Sequence, residues 1–167
     1  MTEALLKVKN LCTEFRTEGG VVKAVDDVSF EVKSGEIFAL VGESGCGKSV
    51  TALSIMGLIP NPPGEIVSGS IEFEGVDLLG LSSREMRAIR GSRIGMIFQE
   101  PMSSLNPVLT IESQLAEPLK IHQNMSTNAA RDRAQELIDI VGIPDSKTRL
   151  KQFPHELSGG QRQRIMI

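Results

Sequence analysis

Gly42, Gly47, Lys48 and Ser49 stand at the spacing G-x-x-x-x-G-K-[ST], in the stretch Gly42-Glu-Ser-Gly-Cys-Gly-Lys-Ser49. The chemistry accounts for each type. Glycines let the backbone curl until successive N–H groups converge on phosphate oxygens. A helix starting at the end of the loop adds the positive end of its dipole to the same anion. Lys48 is long enough to reach the β- and γ-phosphates of a nucleotide, and the Ser49 hydroxyl suits a Mg²⁺ ion. By average composition the pattern arises by chance in on the order of one per cent of chains this long, which favours phosphate binding over an accidental turn. Cys46 lies inside the loop. A free cysteine there reads first as a small residue filling a small space, and second as a thiol that a helix N-terminus would make reactive.

A second helix start of this kind occurs at Leu157-Ser-Gly-Gly-Gln161, continued by Arg162-Gln-Arg164. Ser158 is placed to cap the helix that follows, while Gly159 and Gly160 leave backbone N–H groups open to an anion. By composition this string is expected in on the order of one in several thousand chains of this length. The plain alternative is an ordinary capped helix.

These loops need elements to hold them. Leu6-Lys-Val-Lys and Val28-Ser-Phe-Glu-Val-Lys alternate apolar and charged residues, which predicts half-exposed strands, with a turn at Ser34-Gly35. Ile37–Val41 is apolar throughout and predicts a strand of a parallel sheet buried on both faces, and Ile94–Phe98 predicts a second. Lys48 to Leu58 predicts a helix, ended by Pro60, Pro62, Pro63 and Gly64. Ser70–Gly75 alternates again, and Ser82–Ile89 predicts a short polar helix. Beyond Pro101 the pattern is helical. Thr110 is a cap for a helix bent at Pro118, and Ser126 or Thr127 caps the next. In that helix Ala130, Ala134, Leu137, Ile138 and Val141 share one face, a packing stripe rather than a partner surface, and Gly142 and Pro144 stop it. His122 and His155 read as surface or capping residues.

Composition excludes several classes. The formal charge of −3 offers no basic field for nucleic acid, and the absence of Trp and Tyr with only 6 Phe leaves few platforms for stacking bases. Cys12 and Cys46 match no zinc or redox spacing, which predicts a reducing setting. The N-terminus lacks the apolar core of a signal peptide. Ile37–Val41 and Ala52–Ile59 fall far short of the ~18 residues that span a bilayer, so work at a membrane would require another subunit.

The two motifs together resemble those of ATP-binding-cassette ATPases, and the resemblance runs the length of the chain. It implies an α/β fold, a P-loop NTPase of the ABC ATPase type with a mixed-sheet core, an antiparallel β-subdomain and a helical subdomain, incomplete at the C-terminus. Residues 1–98 would form the nucleotide-binding core with its β-subdomain, 99–157 the Q-loop and helical subdomain, and 158–167 the start of the signature helix. ATP and Mg²⁺ are the implied ligands. Gly42, Glu43, Ser44, Gly45, Cys46, Gly47, Lys48, Ser49 and Val50 would hold the nucleotide. Ser158, Gly159, Gly160 and Gln161 match the signature, which covers the ATP held by a partner's loop in a head-to-tail dimer. Gln99 matches the glutamine that contacts Mg²⁺ and the attacking water, so Lys48 and Gln99 are the implied catalytic residues, and Ser49 and Gln99 the metal contacts. Phe15 aligns with the aromatic that stacks on adenine, with a core Phe as the rival reading.

Gly42–Leu58, Phe98–Pro107 and Pro154–Ile167 are similar in particular to the oligopeptide/dipeptide importer ATPases. That similarity implies a second ATPase subunit, transmembrane permease subunits and, indirectly, a substrate-binding protein as partners. The implied place is peripheral, on the cytoplasmic face of the plasma (inner) membrane. Nickel and glutathione are alternative cargoes, and a non-transport cassette protein fits the segment around Gln99–Pro107 less well. The chain departs from the family pattern after Ile167, where the Asp for Mg²⁺, the catalytic Glu and the switch His would follow. Loss of a general base alone costs ~10²–10⁴ in rate. Hydrolysis by this chain alone is therefore expected to be close to nil, and a truncated product that binds nucleotide or docks without turnover is the alternative. An exposed sheet edge would also make the isolated chain poorly stable.

Overall fold

The computed structural model describes residues 4–98 and 104–167. They fall into two compact units, Met1–Arg90 and Gly91–Ile167.

The first unit is built on strands β1 (Ala4–Thr17), β2 (Gly20–Lys33), β3 (Gly64–Phe73) and β4 (Val76–Asp77), with helices α1 (Lys48–Ile55) and α2 (Ser83–Ile89). The strands form one antiparallel sheet in the order β2-β1-β3-β4. Val8 and Leu11 on β1 are both fully buried although strict alternation would put them on opposite faces. A bulge re-phases the strand. Asn10 adopts φ 46°, the β1–β2 and β1–β3 registers both shift beside it, and its N–H, freed from the ladder, donates to the Ser29 hydroxyl at 2.8 Å. The Asn10 side-chain amide donates to Asp27 at 2.7 Å and locks the bulge to β2. Opposite it, Gly69 has φ 98°, and a Cβ there would come within 2.6 Å of the Lys9 and Asn10 carbonyl oxygens, so only glycine fits.

Helix α1 is joined to the sheet by a buried polar pair. The hydroxyls of Thr13 on β1 and Ser54 on α1 lie 2.9 Å apart, and Ser54 also donates to the Val50 carbonyl at 2.8 Å. Both residues are fully buried, so each hydroxyl needs the other's partnership, and the pair sets the rotation of α1 on the sheet. Arg90 closes the far end of the helix, donating to the Met56 and Gly57 carbonyl oxygens at 2.6 Å each. A cation at those last carbonyls also complements the helix dipole. Helix α2 starts one residue after the predicted Ser82, which caps it instead. The Ser82 hydroxyl accepts from the Glu85 N–H while the Glu85 carboxylate accepts from the Ser82 N–H and hydroxyl. The Ser82 side chain, then the Ser82 backbone, hold the Glu85 carboxyl below the usual carboxylate range, against a smaller upward push from burial.

The second unit contains α3 (Ile111–Gln123), α4 (Thr127–Ile140), the short α5 (Ser146–Arg149), a 3₁₀ turn (Pro154–Glu156) and α6 (Gly159–Met166). Thr110 and Ser126 cap α3 and α4 as their positions predict, and Pro118 lies inside α3. Ala130, Ala134 and Ile138 form the buried stripe of α4. Ala134 and Ile138 share a core with Ile111, Ile143, Leu150, Leu157 and Ile165, and Ala130 packs with Ala116 and Leu119. Gly142, at φ 69°, ends the turn after α4.

Two expectations fail. Ile37–Val41 ladders with no described residue, and Ile94–Phe98 is no strand, its pairing limited to a bridge at Ile94, whose carbonyl accepts from the Gly91 N–H at 2.9 Å. Ile37 is 99% exposed, Val41 84% and Ile97 59%. A continuous apolar run states that a segment suits burial, but burial on both faces also requires flanking strands, and none of the described residues provides one. Helix α1 is also shorter than expected, closing at Met56 and Gly57 rather than Leu58. Among the described residues no helix is long and apolar enough to cross a membrane.

Candidate nucleotide-binding site

The phosphate loop runs from Gly42 to the start of α1 at Lys48, and most of it is exposed. Gly47 caps α1 in the left-handed region at φ 89° and ψ 1°. A Cβ there would overlap the Ala24 carbonyl oxygen of β2, so the loop meets the sheet at a point only glycine can occupy. Thr51, fully buried, donates both its N–H and its hydroxyl to the Gly47 carbonyl, at 2.8 and 3.0 Å. The first turn of α1 is thereby fixed to the loop.

Three features make this an anion site. Among the described residues, nothing accepts from the N–H groups of Gly45, Gly47, Lys48 or Ser49. No acidic residue lies in the first turn of α1, so the positive end of the helix is uncompensated. The Lys48 ammonium bends back over the loop, donating to the Gly42 and Glu43 carbonyl oxygens at 2.8 and 2.6 Å and lying 3.4 Å from the Cys46 sulfur. It is held by neutral acceptors that an incoming phosphate would outcompete. Such an arrangement can bind a ligand with several clustered anionic oxygens. The exposed Ser49 hydroxyl and the half-buried Val50 follow at the helix start, and Glu43, Ser44 and Cys46 form the open crest of the loop.

Phe15 lies on β1 opposite Gly64 of β3, half-buried. A Cβ on Gly64 would come within 2.7 Å of the Phe15 ring and 2.6 Å of Ile59, so the ring packs closely over that glycine. Gln99 lies outside the described residues.

In the second unit, Ser158 takes extended backbone (φ −64°, ψ 158°) and caps α6. Its hydroxyl accepts from the Gln161 N–H at 3.3 Å, and the Gln161 side chain accepts from the Ser158 N–H at 3.0 Å. Gly159 and Gly160 are exposed, and a Cβ on either would meet nothing within 4 Å. The start of α6 is therefore an open surface backed by a packed one, since Leu157 and Ile165 sit in the core of this unit. Arg164 donates to the Gly142 and Val141 carbonyl oxygens at 2.9 and 3.3 Å, tying α6 to the end of α4. His122 is half-buried on α3, and the His155 ring stacks on Phe153 with centroids 5.7 Å apart.

Sequence reasoning missed Ala24 and Arg90. Ala24 contributes a backbone carbonyl, which its side chain does not announce, and Arg90 acts on carbonyls far from it in sequence.

Dipeptide transport ATP-binding protein DppD of Bacillus subtilis (strain 168) is 54% identical over 99% of this chain and 49% of its own length. Oligopeptide transport ATP-binding protein OppD of the same strain is 53% identical over 98% of this chain and 46% of its own. The chain thus spans about half the length of these curated relatives. Among solved structures, MJ0796, a bacterial ABC transporter cassette, superposes with a TM-score of 0.83 at 28% identity, over 97% of this chain and 67% of that one. A second structure of MJ0796, bound to ADP and Pi, gives the same score over 96% and 66%. The fold is therefore that of an ABC ATPase cassette. The family model for the ABC transporter matches residues 25–167, a span that contains both helix starts, and this chain belongs to that family.

Proposed function

We propose that this chain binds ATP as part of the ATPase subunit of a peptide importer, in a head-to-tail pair with a second cassette. The observation that carries the reading is the start of α1, where four N–H groups that no described residue accepts from lie in one short stretch with a helix start free of acidic residues and the Lys48 ammonium. In this reading the loop from Gly42 to Val50 cradles the phosphates, and Lys48 leaves its carbonyl acceptors for the β- and γ-oxygens. Ser49 and Gln99 hold Mg²⁺, which supplies charge neutralisation when bound. Phe15 stacks on the adenine, and Gln99 orients the attacking water. Ser158, Gly159 and Gly160, braced by Gln161, close over the nucleotide of the partner cassette, the Ser158 O–H being free to donate because its oxygen only accepts within the cap. Residues 1–98 serve as core and β-subdomain, 99–157 as the helical subdomain facing permease subunits, and 158–167 as the signature helix. Peptide cargo is supported by the curated relatives named for dipeptide and oligopeptide transport. The subunit would then sit peripherally on the cytoplasmic face of the membrane, and a peptide-binding protein would deliver cargo to the permease.

Equilibrium binding of MgATP to the chain and to Lys48→Ala tests the site. Losing hydrogen bonds to a charged group predicts an affinity about ten- to a hundredfold weaker in the variant, and equal affinities would overturn the reading. Uptake of labelled di- and oligopeptides by cells deleted for the gene tests the cargo. Peptide uptake should fail and return with the wild-type gene, and failure of nickel or glutathione uptake alone would redirect the assignment.

A further inference from the structure

Among the described residues, no backbone ladder holds the approach to the phosphate loop. Ile37–Val41 pairs with no described strand, and its alternate side chains Ile37 and Val41 face solvent. Phe38, between them, does have a partner. Its ring stacks on Phe30 of β2 with centroids 4.9 Å apart and planes within 9° of parallel. That offset stack adds to ordinary area burial. The turn before it is also closed onto β2, with the Lys33 N–H donating to the Glu36 carboxylate at 2.7 Å and the Glu36 N–H to the Lys33 carbonyl at 3.2 Å.

At its other end the loop meets the same strand. Gly47 lies against the Ala24 carbonyl, as described above. Ala24 and Phe30 both belong to β2, which is hydrogen-bonded along its length to β1. One strand thus touches the loop segment before and after the curl that gathers its N–H groups. A chain anchored at two points on a rigid strand has its intervening curvature set by their separation, whereas a chain anchored at one end samples many curvatures.

We infer that Phe30 and Phe38 are positioning residues for nucleotide binding, holding the lead-in of the phosphate loop on β2 so that its N–H groups converge before ligand arrives. The inference rests on the nucleotide reading proposed above. Neither ring touches the ligand; both act through the backbone of the loop.

The test is MgATP affinity of the full chain carrying Phe30→Leu, Phe38→Leu, both together, or Phe38→Tyr, with thermal melts of each. Each leucine variant should bind about three- to tenfold more weakly, the worth of one aromatic pair. The double variant should lose no more than the worse single one, because one interaction is being removed twice. Phe38→Tyr, which keeps the stack, should bind within about twofold of wild type. Wild-type affinity in the leucine variants, additive losses in the double, or an equal loss in Phe38→Tyr would overturn the inference. If the leucine variants do not fold, Phe38→Tyr decides, since a tyrosine that folds but loses affinity excludes the stack as the cause. A wild-type chain that fails to bind MgATP would remove the nucleotide reading and this inference with it, whereas normal wild-type binding with unaffected variants removes the inference alone.

Discussion

The α-carbon of Gly47 faces the carbonyl oxygen of Ala24 so closely that a methyl group on it would overlap that oxygen, and its φ is 89°. Both conditions act at the residue that caps α1. Gly47→Ala would have to adopt a left-handed conformation, which costs an L-residue roughly 1–2 kcal/mol, and displace a strand as well. The expected result is a chain destabilised by at least about 2 kcal/mol with no measurable MgATP affinity. Denaturant unfolding and a nucleotide titration check it; wild-type affinity at wild-type stability would contradict the geometry.

Cys46 is exposed on the crest of the loop, and Cys12 is half-buried on β1. The Cys46 sulfur lies 3.4 Å from the Lys48 ammonium, the group that the proposed function assigns to the phosphates. Saturating MgATP should slow iodoacetamide alkylation of Cys46 by about tenfold or more and leave Cys12 unchanged, since occlusion acts through access to the thiolate. Peptide mapping by mass spectrometry reads both rates at once. Equal slowing of the two would indicate a global change instead of occupancy of the loop.

Gly160 separates stability from function. A Cβ there meets nothing within 4 Å, and the residue is in the first turn of α6. Gly160→Ala should leave the melt unchanged or raise it, because alanine favours a helix over glycine by roughly 0.5–1 kcal/mol. In the proposed head-to-tail pair, the same methyl would add bulk to the helix start offered to a partner's nucleotide. ATP-dependent dimerisation measured by light scattering should therefore weaken while Tm does not fall. A variant that pairs as well as wild type would argue against an interface role for this helix start.

Glu85 makes the cap of α2 sensitive to acid. Its carboxyl lies below the usual range in the folded chain, chiefly through the Ser82 side chain. A carboxyl depressed by folding contributes stability that is present above its unfolded pKa and lost as pH falls through its folded one. Glu85→Gln keeps an acceptor for the Ser82 N–H but does not titrate. Its stability deficit relative to wild type should be constant near neutrality and shrink once pH drops below the ordinary carboxylate range. Melts from pH 7 to pH 3 follow the difference, and a gap that widens in acid would reverse the sign argued here.

Much of the site was legible in the residues alone. The spacing from Gly42 to Ser49 and the string Leu157–Gln161 are local chemistry, because a loop that curls and a serine that caps do so within a few residues of themselves. The helix cap at Thr110 and the choice of Ser126 or Thr127 were legible for the same reason, each hydrogen bond closing within three residues. Alternation found parts of β1, β2 and β3 but not β4, and it did not reveal that Asn10 would interrupt β1, since a bulge depends on what the neighbouring strands present. The apolar runs Ile37–Val41 and Ile94–Phe98 misled in the opposite direction. Their composition declares a preference for burial, and only strands supplied by other parts of a fold can satisfy it. The partnerships of Phe30 with Phe38, Thr13 with Ser54 and Gly47 with Ala24 were likewise decided by tertiary structure, because each joins segments that only the sheet brings together. Local spacing determined that this chain would present two glycine-bearing helix starts. The packing of β2 against the first of them determined how that loop is held.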